Sequence, residues 1–542
     1  MNFLILFMTL NYKPWHNAAI HLKRYFPGSK FVGVIAGHGD IKGYLERQKD
    51  IKYEFLFDTL NLENEFLKED VSYDELREFE ETLREKSLWR YIGGDSIWGY
   101  QFCKNALLMP RIDKKLINTE NLMKIAGGHI NFYKRILSEF KTDVVMFFPG
   151  EHSMRGPICE QVCRNMNILH IGPTVTRVKN YLTITTNKEL VFHNVNKTYK
   201  RIMDGELVID PSPGEKIYDE MLSSLKSKDD AYYFDAGGRY SSSSNIKKHN
   251  IAFTIIRSIL GTTKLFYTSR ISDREKKKRF KNNSIEIKPT ISLRNLPYRY
   301  YYDLYKRLQE QKLSKETFYG KYDPDEKYLF FPLHSAPEYA LQQQANMWND
   351  QLHIIDALAK SIPFDWKVYV KEHPANVIYR VRLSSFYRKI KTYANVKLIP
   401  TYLDTNMIIR NSQFVAHICG TAGWEAVLFH GKPTINFHEM FHDVTGLSKK
   451  VENLVELSRE IHNEVKRIKK IDSDERKKRI ICLINALCIH SISVDNPVAT
   501  MGASQFYLSE EELKSAGVSF GDAVIQFIEE TKSNCAKVQS SN

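Results

Sequence analysis

Residues 414–437 read FVAHICGTAGWEAVLFHGKPTINF. An apolar run, Phe414 to Cys419, stops at Gly420-Thr421-Ala422-Gly423. A second apolar run from Trp424 is punctuated by Gly431-Lys432-Pro433, and Thr434 to Phe437 is apolar again. The order is strand, tight turn, helix, strand, a βαβ unit in which the helix carries the chain back so that the second strand lies parallel to the first. The turn is built of small residues, which lets backbone approach a ligand closely. It also opens a helix, whose first N–H groups are unpaired and carry partial positive charge.

The same alternation extends outward. Upstream lie the strand KYLFFPL from Lys327, a long helix over YALQQQANMWNDQLHIIDALAKSI from Tyr339, the strand WKVYVKEHP ending at Pro374, a helix over LSSFYRKIKTYA from Leu383, the strand NVKLIP from Asn395 and a helix over LDTNMIIRNS from Leu403. Downstream, Val451 to Ile492 is mostly helical. This succession is a doubly wound sheet. The N-terminal half reads similarly: FLILFMT from Phe3, a helix around HNAAIHLKRYF, FVGVIAG from Phe31, DVVMFFPG over Asp143–Gly150, a helix over Pro157–Asn165 and ILHIG from Ile168. Short apolar strands separated by helices imply parallel pairing there too. Tyr53–Lys141 is richer in amphipathic helix, with DELREFEETLREK an exposed face.

Between the halves the character changes. DAGGRYSSSSN from Asp235 is a linker by its Gly and Ser content. Lys247, Lys248, Arg257, Lys264, Arg270 and REKKKRFKN from Arg274 are interleaved with Ile, Phe and Tyr. This mixture suits anionic lipid headgroups, and it also fits a nucleic-acid contact or a solvated connector. The boundaries expected are 1–221 for an N-terminal domain, 222–313 for a basic insertion, 314–495 for a C-terminal domain and 496–542 for an extension, frayed from Lys532.

Whole-chain properties bound the alternatives. The 542 residues exceed one ordinary core. The 43% hydrophobic content, with 30 Phe and 30 Tyr, excludes a largely disordered chain. A net charge of +14 favours anionic partners. The seven cysteines are sparse, and Cys159 and Cys163 lack the CxxC pairs and nearby His of a structural zinc site, which fits a reduced, cytoplasmic-type compartment. The apolar N-terminus lacks a basic flank and a cleavage site, so it reads as a buried strand, and no apolar stretch is long enough to span a bilayer.

Three loops carry chemistry, each following a strand. Lys371-Glu372-His373-Pro374 places an imidazole donor and a cation at a strand mouth. Gly420-Thr421-Ala422-Gly423 adds a hydroxyl donor at a helix start, with Glu425 one turn on to accept from ribose hydroxyls. Pro332-Leu333-His334-Ser335-Ala336-Pro337-Glu338 offers His334 and Ser335 to a phosphate or sugar, with Glu338 capping the next helix. In a parallel sheet all three share one edge, where ligands of open α/β sheets gather. Each has a plain structural reading as a βα turn; their combination points to a nucleotide phosphate. The Gly-Lys-Ser/Thr of a phosphate-binding P-loop is missing. HEMFH at 438–442 has the His spacing and following Glu of zinc proteases but follows a strand at the sheet edge, so it is expected to line the donor pocket, and no metal site is expected.

FFPLHSAPEYAL, VYVKEHP and GTAGWEAVLFHGKPTINF resemble, in order, motifs of the bacterial capsular polysaccharide biosynthesis family, which includes the Kdo transferases of capsule assembly. The His-Pro motif is more distantly similar to that of bacterial polysialyltransferases and teichoic-acid glycerophosphotransferases. The resemblance spans Tyr328 to Gly446. It implies a GT-B architecture, two Rossmann-like domains facing across a cleft, with the activated sugar in the C-terminal domain and the acceptor in the N-terminal one. It implies that His373 contacts the donor phosphate and that Gly420–Gly423 and Glu425 hold the rest of the nucleotide, with Pro374, Lys371, His334, Ser335 and Glu338 completing the donor site. His334 departs from the Gln expected in a Pro-Leu-Gln pattern. The resemblance also implies an acidic residue in the N-terminal domain that takes the acceptor proton. Glu151, in FPGEHSMRG, is the first candidate and Asp95 the second, with His152 and Arg155 beside Glu151 for an anionic acceptor. The expected function is a metal-independent glycosyltransferase using a CMP- or UDP-linked sugar and a polysaccharide or glycolipid acceptor. It is expected to be cytoplasmic and peripheral at the membrane through 247–279, to use no further cofactor and to bind no nucleic acid. The alternatives are a polyol-phosphate transferase or nucleotide-sugar epimerase on the same fold, or a non-catalytic binding protein.

Overall fold

The structure is a computed structural model, which describes residues 1–8, 11–36, 40–95, 98–99, 116–178, 181–227, 251–279, 296–313, 315–336, 338–374, 376, 382–494 and 508–540. The chain forms two compact units. Unit 1 comprises Met1–Gly93, Asn118–Phe234 and Lys477–Asn542; unit 2 comprises Gly94–Ile117 and Asp235–Arg476. The C-terminal boundary therefore falls at Lys477 instead of 495, and the last segment is no extension but part of unit 1.

Unit 2 holds strands β7 (Tyr328–Pro332), β8 (Lys367–Lys371), β9 (Val396–Ile399), β10 (Phe414–His417), β11 (Thr434–Asn436) and β12 (Lys449–Lys450). Their order in the sheet is β12-β11-β10-β7-β8-β9, and every pairing is parallel. Numbered from β7, this is the 3-2-1-4-5-6 order of a doubly wound fold, with the strand order reversing between β7 and β10. The central strands are buried on both faces, Leu329 and Phe331 on one side and Tyr328 and Phe330 on the other, which is why they read as unbroken apolar runs.

Unit 1 holds β1 (Asn2–Met8), β2 (Lys30–Ala36), β3 (Phe55–Asp58), β4 (Val144–Met146), β5 (Leu169–Val175), β6 (Tyr181–Thr185) and β13 (Ser491–Ser493), in the order β13-β6-β5-β4-β1-β2-β3. The β3-β2-β1-β4-β5 part is parallel, as expected. The far edge departs from expectation: β5–β6 and β6–β13 are antiparallel. The strand β13 comes from the end of the region expected to belong to the C-terminal domain, and pairing with β6 returns the chain to unit 1. Helix α1 (Tyr12–Tyr25) and the C-terminal helix α11 (Glu510–Ser540) cover this sheet, with Trp15, Phe520, Val524 and Ile528 in its core. The end expected to fray from Lys532 continues as helix to Ser540.

The longer or site-bearing helices between include α2 (Thr119–Glu139), α3 (Arg155–Asn165), α4 (Ile251–Arg279), α5 (Leu296–Leu313), α6 (Gln351–Ser361), α7 (Thr405–Asn411), α8 (Thr421–His430), α9 (Leu457–Lys469) and α10 (Ser473–Ile489). The long helix expected from Tyr339 is broken. A π-turn over Ala340–Gln344 and a short 3-10 turn precede α6, which restarts where the Asp350 carboxylate accepts from the N–H groups of Leu352 and His353. The loop at 235–245 and residues 247–250 of the basic stretch lie outside the described residues. No helix among the described residues is long and apolar enough to cross a membrane.

Candidate functional site

Two loops leave the sheet of unit 2 at its switch point, one after β7 and one after β10. His334, in the first, is buried. Its Nε2 accepts the Cys419 N–H at 3.3 Å from the second loop, so the ring is a neutral tautomer with its proton on Nδ1. A Cβ on Gly420 would lie 3.2 Å from this ring, so the second loop runs against the imidazole because residue 420 has no side chain. Burial pushes His334 down to about 3, with His417, His373 and Arg382 adding to the fall.

Gly420 then caps α8 with extended backbone, and being glycine it has no side chain to accept from the first N–H groups of the helix. Thr421 is exposed at this end, while Ala422, Gly423 and Glu425 are buried. The helix start therefore presents uncapped donors beside an exposed hydroxyl, an arrangement that receives an anion. Behind it lie two imidazoles: His417, which the sequence did not single out, and His442 of the HEMFH stretch expected to line the donor pocket. His417, at the end of β10, is fully buried with neither ring nitrogen partnered among the described residues. A Cβ on Gly423 would sit 1.8 Å from its Nε2, so the glycine makes room for the ring. The His442 ring stacks on Trp424 at 5.6 Å, and its Nδ1 meets the Ser448 hydroxyl, which donates to Asp443. Burial holds both rings near a pKa of 3, and His442 adds to the fall at His417.

The third loop follows β8. His373 and Pro374 are half-buried at its mouth. Glu372, between the two residues assigned donor roles, is a buried hub. Its Oε1 accepts from the His373 N–H at 2.7 Å and Asn376 Nδ2 at 2.9 Å; its Oε2 accepts from Arg382 Nε at 2.8 Å and the Tyr387 hydroxyl at 2.7 Å. Asn376 Nδ2 and Arg382 also donate to the His334 carbonyl, which ties the β8 loop to the β7 loop. Gln351, the first residue of α6, closes the other side: its Oε1 accepts the His334 N–H at 2.8 Å. Ser335 donates to Asn376 Oδ1 at 3.4 Å, and the Glu338 carbonyl accepts from Leu341 and Gln342 as the π-turn begins.

Lys371 points elsewhere. Its Nζ donates to the Leu403 carbonyl and the Thr405 hydroxyl, each at 2.6 Å, at the start of α7. Burial pulls its pKa down to about 8, against Asp404 and Glu425, which raise it. Its positive charge serves a loop end in unit 2, a role that the KEHP motif alone does not disclose.

In unit 1, Glu151 lies after β4, beside that sheet's own reversal point between β1 and β4. Its Oε1 accepts from Ser153 and from Arg155, and its Oε2 has no partner among the described residues. Arg155 is buried and donates onward to Thr59 at 2.8 Å. Burial opposes its charge, but Glu151, Tyr133 and Glu63 outweigh it and raise its pKa. The guanidinium thus positions Glu151, while His152 is half-buried next to it. Asp95 belongs to unit 2, where its carboxylate accepts the Trp98 N–H at 2.8 Å.

No curated protein matches the chain. Among solved structures, it is similar to a putative UDP-N-acetylglucosamine 2-epimerase from Listeria monocytogenes, at 11% identity over 89% of this chain and 90% of that one with a TM-score of 0.25. It is also similar to the Thermosulfurimonas dismutans KpsC, a beta Kdo 2,4 transferase, at 10% identity over 69% and 87% with a TM-score of 0.32. A third, Anabaena HepE in complex with UDP and glucose, has 11% identity over 98% and 100% with a TM-score of 0.24. Residues 244–467 match the family model described as capsule polysaccharide biosynthesis protein, which bears out the resemblance carried by the three motifs.

Proposed function

We propose that this chain is a glycosyltransferase that moves a sugar from a nucleotide-activated donor, CMP- or UDP-linked, to a capsular polysaccharide or glycolipid acceptor. The observation that carries the reading is the meeting of the His334 loop and the uncapped start of α8 at the reversal point of an all-parallel sheet. The family match over 244–467 supports it.

The donor phosphate lies against the first N–H groups of α8, with the Thr421 hydroxyl and His373 donating to it and Glu425 toward the ribose. As the bond from the anomeric carbon to the phosphate oxygen breaks, its electron pair stays on the phosphate, and these donors stabilise the growing charge without requiring a metal. The acceptor oxygen bonds to the anomeric carbon and gives up its proton. Glu151 is the proposed base, because Oε2 has no partner among the described residues while Arg155 fixes Oε1. His152, next to this carboxylate in the chain, is proposed to bind the acceptor. The enzyme works at the inner face of the cytoplasmic membrane.

The test is product analysis with CMP- and UDP-sugars and capsular oligosaccharide primers. Free nucleotide with an extended primer supports the reading. A nucleotide sugar altered only in its sugar configuration, or a transferred polyol phosphate, overturns it in favour of the other chemistries of this fold.

A further inference from the structure

Helix α4 (Ile251–Arg279) is built inside out for a helix in water. Thr254, Ser258 and Thr262, at i, i+4 and i+8, are buried, at 2%, 2% and 4% exposure. Phe253, Ile256, Leu260 and Tyr267 are exposed, at 48%, 54%, 65% and 65%. With 3.6 residues per turn these four fall within about 60° of arc. Ile255 and Ile259, also exposed, widen the stripe on one flank, and Arg257 and Lys264 border it on the other. A helix that rests in water turns its hydroxyls outward and its isoleucines inward.

The inward face has its reason in α5 (Leu296–Leu313), which runs beside α4: a Cβ on Gly261, on the same arc as Thr254, would lie 3.5 Å from the Arg307 guanidinium, while the Thr263 and Tyr300 hydroxyls meet at 2.7 Å at the flank of the stripe. Helix α5 is in turn fixed to the unit 2 core, where the Tyr305 hydroxyl accepts the Ser384 N–H at 2.9 Å and Leu313 is buried. The apolar stripe is thus held outward on an anchored pair of helices.

We propose that this stripe is the face by which the protein lies on an anionic lipid bilayer, with the apolar side chains between the headgroups and the basic end of the helix against them. It deepens the peripheral-membrane part of the functional reading and rests on that part only. The choice of a bilayer comes from charge. The last six residues of α4 read REKKKR, five cations and one anion, and the chain carries +14 overall. A second copy of the chain brings the same basic end and the same sign of charge to the contact, whereas anionic headgroups complement both. The proposed contact is in-plane; no helix among the described residues is long and apolar enough to cross a membrane.

The test is co-sedimentation of the full chain with phosphatidylglycerol/phosphatidylcholine vesicles and with phosphatidylcholine alone. The variants are Ile256→Asp/Leu260→Asp, at exposed positions, and Lys276→Ala/Lys277→Ala/Lys278→Ala. Nucleotide-induced thermal stabilisation, measured on each, reports the donor site separately and checks folding. Binding to anionic vesicles that falls at least tenfold in the aspartate variant, and on the order of a hundredfold in the triple alanine variant, is the expected result. Wild type that ignores anionic vesicles, or variants that bind as wild type does, overturns the proposal. Self-association that is lost in the aspartate variant without vesicle binding also overturns it and makes the stripe an interface between copies. In each of these cases a retained nucleotide response leaves the donor-site reading standing.

Discussion

Arg382 and Glu372 form an ion pair at 2.8 Å beneath the candidate donor site, and the same guanidinium donates to the carbonyl of His334. Both partners are almost wholly buried, with side chains 10% and 0% exposed. One carboxylate thereby sets the position of two loops from different strands. Breaking such a pair leaves a buried charge without its partner. We expect Arg382→Ala to destabilise unit 2 by about 3–5 kcal/mol in denaturant unfolding. Arg382→Lys, which keeps the charge but cannot reach both acceptors, is expected to retain the fold and weaken nucleotide binding about tenfold. Unchanged binding in a folded Arg382→Lys protein would remove Arg382 from the positioning of the His334 loop.

Gly423 and His417 make a second pair, defined by space. The alanine Cβ would lie 1.8 Å from Nε2 of a ring buried on all sides. Gly423→Ala is expected to cost about 1–3 kcal/mol. Adding His417→Ala removes the clash and should recover part of that loss. A thermal-melt double-mutant cycle checks this: strict additivity would mean that the two residues do not share the space.

The buried imidazoles make unit 2 sensitive to acid. His334, His417 and His442 are held near a pKa of 3 when folded, against about 6.5 when unfolded. The unfolded chain therefore binds more protons between these values. The stability these groups contribute is fully present above pH 6.5 and is lost as the pH falls toward 3. The slope is about 1.4 kcal/mol per pH unit per histidine. Urea unfolding at pH 7, 6 and 5 should show it, and His417→Gln should flatten it. An unchanged slope in that variant would show that His417 titrates normally.

Lys371 separates a structural role from a ligand role. Its ammonium serves the Leu403 carbonyl and Thr405. Lys371→Met is expected to lower stability by about 1–3 kcal/mol, the cost of leaving buried acceptors unmet, while changing nucleotide affinity less than His373→Ala does. Equal losses of affinity would return Lys371 to the phosphate site.

Glu151→Gln keeps the volume of the side chain and removes its ability to hold a proton. Transfer is expected to fall about 10²–10⁴-fold with nucleotide binding unchanged. Turnover within a few-fold of wild type would exclude Glu151 as the base.

The parallel sheet of unit 2 was legible in the sequence because each of its central strands is a short apolar run closed by Gly or Pro, and such runs mark strands buried on both faces. The loops after β7, β8 and β10 were legible for the same reason: strand ends fix where they emerge. Legibility stopped where long-range pairing decides. Nothing local in SIS at 491–493 announces a strand that pairs with β6, its partners lying 308 to 312 residues earlier in sequence. Asp350 reads as one polar residue in a helical stretch, and only its capping bonds show that a helix begins there. Glu372 stood inside a quoted motif without a role, since its partners Arg382, Asn376 and Tyr387 are brought to it by the fold. The isolation of His417 and the outward-facing apolar stripe of α4 depend on packing that no spacing of residues encodes.

The central claim, a nucleotide-phosphate site between the His334 loop and α8, is tested most directly by thermal unfolding with CMP, UDP, GDP and CDP, in wild type and in His373→Ala. A ligand that binds only the folded state raises its apparent stability, by about 2.7 kcal/mol at a hundred times Kd. A higher unfolding midpoint with one of these nucleotides, abolished in His373→Ala, is the expected result. No rise with any of the four at millimolar concentration, or an equal rise in the variant, would contradict it.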